Sequence, residues 1–86
     1  MTAHETTTTI KIAKLYDEIN TSEKTIEFFK NRVKLFREVL SSTETSSEKY
    51  LIFSRHLENT EISLEDAVAV WADKMLELDK LLELGQ

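Results

Sequence analysis

The sequence predicts an all-α fold: an antiparallel hairpin of two long amphipathic helices. Three observations carry this. Proline is absent and Gly85 is the sole glycine, so the tight turns of sheets and barrels, which need fixed or positive φ, are out of reach. Apolar residues return in alternating steps of three and four along each half, the repeat of helices packed as coiled coils. A run of eight polar residues, 41–48, interrupts that repeat almost at the midpoint of the 86 residues.

Residues 1–8 are polar and Thr-rich without a period, and read as a flexible tail before a single helical domain over 9–86. In the first arm Ile12, Leu15, Ile19, Ser22, Ile26, Phe29, Val33, Phe36 and Leu40 form one unbroken seam. Asn20 and Glu23 have the spacing to cap a new helix, but a loop there would lose the phase, and the phase is kept. One helix is expected. Phe28, Leu35 and Val39 lie beside the seam and widen the apolar face beyond what one neighbour covers.

The main turn is placed at 41–47. Thr45 with Glu48 has capping-box spacing and is expected to start the second helix; Ser41 with Glu44 shares that spacing. The second arm carries Tyr50, Leu57, Leu64, Trp71 and Leu78 at intervals of seven. Phe53 flanks the first part of this stripe, and Val68, Met75 and Leu82 flank the last, with Ser54 and Glu61 at weak positions. The switch falls at 59–63, where Ser63 and Asp66 offer a further cap, so a kink or break is expected as readily as a continuous helix. Gly85 suits a helix stop. The arms, 8–41 and 46–84, match in length, which favours the hairpin over a three-helix bundle broken near Thr60.

Chemistry is scarce. With no cysteine, disulfides and thiolate sites are excluded. His56 has no carboxylate three or four places away on its helix, so no metal is expected. Glu58, Glu61 and Glu65, and Asp73 with Glu77, read as a solvated face rather than an acid–base pair, because a slim hairpin offers no dry cleft. No nucleophile elbow or phosphate loop is present. No enzyme activity and no cofactor are expected. Eleven basic against sixteen acidic residues leave a net charge of −5, a poor balance for nucleic acid or anionic lipid. No apolar run approaches the ~20 residues of a membrane span, and a cytoplasmic protein is expected.

Two surfaces remain. Phe28, Leu35 and Val39 on the first arm, with Val70, Leu76, Leu81 and Leu84 on the second, are apolar positions off the seam. They predict a protein–protein interaction module: a small adaptor, regulator or assembly chaperone. They also predict self-association, most simply a homodimer closing into a four-helix bundle, with a hetero-partner as the other occupant. The alternative is a small nucleic-acid-binding regulator using a basic face of Lys30, Arg32, Lys34 and Arg37. Residues 22–41 hold five basic against three acidic side chains, and 61–86 two against seven. In a hairpin these blocks are expected to miss each other. An antiparallel pairing of two hairpins is expected to bring the basic block of one toward the acidic block of the other.

Overall fold

The structure is a computed structural model and describes residues 3–84. Helix α1 spans Ala3–Ser41 and helix α2 spans Glu48–Leu84. They lie side by side as an antiparallel hairpin measuring 66 × 14 × 14 Å. The described residues include no third helix and no strand, which sets aside the three-helix bundle. α1 runs unbroken through Asn20–Ser22, and its helical backbone reaches back to Ala3 through the Thr-rich segment expected as a tail. Gly85, expected as the stop of α2, lies outside the described residues.

α2 does not break at 59–63. Ser63, expected as a possible cap, lies inside the continuous helix, and Thr60 Oγ1 donates back to the His56 carbonyl at 2.7 Å. Thr25 does the same toward Thr21, at 3.1 Å. A hydroxyl bonded four residues back completes its hydrogen bonding without ending the helix.

The turn is built from hydroxyls instead of glycine. No described residue has positive φ, so the left-handed cap that commonly ends helices is not used. Instead Ser41 Oγ donates to the Glu38 carbonyl at 2.7 Å, Thr43 Oγ1 to Val39 at 2.6 Å and Ser42 Oγ to Val39 at 3.1 Å. These satisfy carbonyls that a helix end leaves without an intrahelical donor. The start of α2 is capped by Ser47, not by Thr45 as expected. The Tyr50 N–H donates to Ser47 Oγ at 3.1 Å, and Ser47 Oγ donates to the Glu44 carbonyl at 2.7 Å. The reason is register: α2 begins at Glu48, so Tyr50 is the third helical residue, and its N–H is the one an N-cap side chain reaches. Glu48 then stands at the positive end of the helix dipole.

The seam of α1 holds at all nine positions: Leu15, Ile19, Val33 and Phe36 are buried, and Ile12, Ser22, Ile26, Phe29 and Leu40 are half-buried. On α2, Leu78 is the buried position, at 4% exposure, and Tyr50, Phe53, Leu57, Leu64, Trp71 and Met75 are half-buried. Leu15, Ile19 and Leu78 form a cluster against which Ile12, Trp71, Met75 and Leu81 pack. Two expectations are corrected here. Val68 and Leu82 are each 40% exposed and lie outside the seam. Ala67, Lys74 and Leu81 take the inward positions instead. No side chain among the described residues is fully buried; two stacked helices leave both flanks of their contact open to water.

Candidate interaction surface

The hairpin has two flanks, one on each side of the seam, and they differ sharply. Contacts between the helices fix the levels: Leu15 lies with Leu78, Glu18 with Lys74, and Phe36 with Phe53 and His56. Residues seven apart stay on one flank of a coiled pair.

One flank is ionic. Lys30, Lys34, Arg37 and Glu38 of α1 share a shallow groove of about 530 Å³ with Glu61, Leu64 and Glu65 of α2. Arg37 pairs with Glu61 at 3.4 Å, with side chains 66% and 44% exposed. A pair this wet contributes at most about 1 kcal/mol. The contact also corrects an expectation: the basic block does meet the near edge of the acidic block within one chain.

The opposite flank is aromatic over the half nearer the turn, where its cations Arg32 and Lys49 lie against the rings of Phe28, Phe36 and Phe53. Phe28 is 54% exposed, Leu35 51% and Ile52 46%. Phe28 meets Phe29 edge-on at 5.5 Å. The Arg32 guanidinium lies 5.5 Å from the Phe28 ring centre and 5.3 Å from that of Phe36. His56 stacks on Phe36 at 5.8 Å and an interplanar angle of 21°. Thr21, Thr25, Val39, Asn59, Ser63 and Val70 continue this flank by heptad spacing. Toward the open end the same flank carries the Lys74 ammonium, which donates to Glu18 Oε2 at 2.8 Å. That hydrogen bond holds the Glu18 carboxyl below its ordinary range, with the charges of Lys74 and Lys14 adding to it.

The residues expected to bind a partner therefore divide. Phe28, Leu35 and Val70 are exposed on the aromatic flank, with Val39 half-buried beside them. Leu84 is 81% exposed at the far end of that flank. Leu76, 60% exposed, points away from both flanks on the outer surface of α2. Leu81 is packed against the core cluster and is not surface. Ile52, not expected as surface, and His56, weighed above only as a metal ligand, complete the flank; Ile52 breaks the helical repeat, the one sign that it faces outward.

The four residues of the expected basic face also divide. Lys30, Lys34 and Arg37 line the ionic groove among Glu38, Glu61 and Glu65. Arg32 lies on the other flank over its aromatic rings. Nowhere do the four present one continuous positive surface. Trp71 Nε1 is buried with no hydrogen-bond partner among the described residues. No three His, Asp or Glu side chains gather into a metal-holding group among the described residues. No helix among them is long and apolar enough to cross a membrane. No protein-family model matches this chain, and neither a curated protein nor a solved structure matches it.

Proposed function

We propose that this chain is a non-enzymatic protein–protein interaction module, a small adaptor, regulator or assembly chaperone, acting through an apolar helix face. The observation that carries this reading is the aromatic flank. Phe28, Leu35 and Ile52 are about half exposed on one side of a rod, beside Arg32 held ready over two rings. Aromatic residues and arginine are the side chains on which interface energy concentrates. A cytoplasmic site of action belongs to the same proposal, and cell fractionation tests it.

The reading is tested by affinity capture from source cells with wild type and a Phe28→Ser/Leu35→Ser variant as paired baits. Both substituted side chains are more than half exposed, so the variant is expected to keep its helicity. Wild type should retain a protein, whether its own chain or another, that the variant loses. Identical retained sets would sink the proposal.

A further inference from the structure

We infer that the aromatic flank is covered by a second copy of this chain, packed with both turns at the same end so that α1 of each copy lies on α2 of the other. The inference rests on the interaction reading above and names its occupant and orientation.

The first argument is surface. The chain exposes 6636 Å², whereas a compact monomer of 10.0 kDa exposes about 5,200 Å². The excess is about 1,400 Å² by that scaling. One flank of a rod 66 Å by 14 Å presents about 900 Å², close to the roughly 800 Å² per partner of a standard interface. Pairing two such flanks makes a four-helix bundle and turns a single contact layer into an enclosed core.

The second argument is the division of the flank along its length, and it selects the orientation. The half nearer the turn exposes Phe28, Leu35 and Ile52, whereas the open half carries Lys14, Glu18, Lys74 and Glu77. Turns at opposite ends, the arrangement expected from sequence alone, would lay the apolar half of each copy on the charged half of the other and take those charges out of water. Turns at the same end lay α1 on α2 and apolar half on apolar half. The levels then match. Val39 meets Ile52 of the second copy, Leu35 meets its His56, and Phe28 meets its Ser63.

The chain has no cysteine of its own, so single cysteines report orientation cleanly. Ser46→Cys marks the turn and Lys11→Cys, in register with Glu18 and Arg32 on the same flank, the open end. Sedimentation across ~1–100 μM should show a dimer. A bismaleimide of ~10–15 Å should then join turn to turn and open end to open end. It should not join turn to open end in mixed samples, because the rod is 66 Å long. Leu35→Lys should raise the dissociation constant about tenfold or more at unchanged helicity, and Tyr16→Lys on the ionic flank should not. A helical monomer at the highest concentration overturns the second copy while leaving the capture experiment to judge the interaction reading. Turn-to-open-end crosslinks, or a Leu35→Lys variant that stays dimeric, overturn the orientation or the flank.

Discussion

Leu78→Ala removes the most deeply buried side chain of the hairpin, 4% exposed and packed with Leu15 and Ile19. Buried Leu→Ala changes cost about 2–5 kcal/mol, more when the hole stays closed. Here the site is rimmed by the half-buried Ile12, Trp71, Met75 and Leu81. Both flanks are open, so the space can relax or wet, and the lower half of the range applies, about 2–3 kcal/mol. A chain of 86 residues has about 4–13 kcal/mol of stability in total, so the loss is a large share. At about 4–8 °C per kcal/mol for a domain of this size, the melting temperature should fall by roughly 10–20 °C. Leu76, two residues away and 60% exposed, is the control: Leu76→Ala should stay within about 0.5 kcal/mol of wild type. Thermal far-UV circular dichroism at one fixed concentration measures both, and a repeat at tenfold dilution separates folding from association. A Leu78→Ala variant melting within about 3 °C of wild type would refute the account of where the core lies.

Ser47→Ala should cost about 1 kcal/mol, and Ser47→Asp should restore most of it, because the aspartate can accept the same Tyr50 N–H; urea melts at a single concentration read both. Glu18 has a lowered folded pKa, so its contribution is present above the unfolded value of 4.5 and is lost as pH falls through the folded value. Stability profiles of wild type and Glu18→Gln should therefore diverge above that pH and converge below it; parallel profiles throughout would contradict the pairing. In gel shifts at low salt, mixed DNA and RNA should show no binding that disappears on replacing Lys30, Arg32, Lys34 and Arg37 together. Salt-sensitive binding lost in that variant would support the nucleic-acid alternative.

The first helix was legible because its seam is filled with large apolar residues at every step except Ser22. The end of the second was not, because its inward positions there include Ala67 and Lys74. A small and a charged residue leave no hydrophobic trace, so the apolar stripe seemed to run through Val68 and Leu82. Lys74 is tolerated beside the core because its ammonium reaches Glu18 while its stem covers apolar surface. That pairing lies 56 residues apart in the chain and cannot be read from local spacing. The continuity of α2 was equally hidden, since a threonine that could favour a boundary and one that bonds back within a helix look alike in sequence. The candidate surface was half legible: Phe28 and Leu35 announced themselves by standing off the seam, whereas the split between an aromatic and an ionic flank needed the levels at which the two helices face each other.

The turn holds no proline, no glycine and no left-handed residue, so nothing in its backbone forbids the helix from going straight on. The serine and threonine hydroxyls on nearby carbonyls, with the Ser42, Thr43 and Ser47 backbone N–H groups on Val39, Leu40 and Glu44, hold the chain where it bends back. Each replacement by alanine shifts local preference toward helix by about 0.5 kcal/mol, and five such changes, at Ser42, Thr43, Thr45, Ser46 and Ser47, act in one direction. The seam would survive, because it depends on spacing within each arm. What would change is whose arm fills it: a chain straightened into one long helix must borrow its partner helix from a neighbour, exchanging the intramolecular pairing for a domain-swapped one. The six residues between α1 and α2 thus act as the selector between a self-contained hairpin and an extended, two-chain coil.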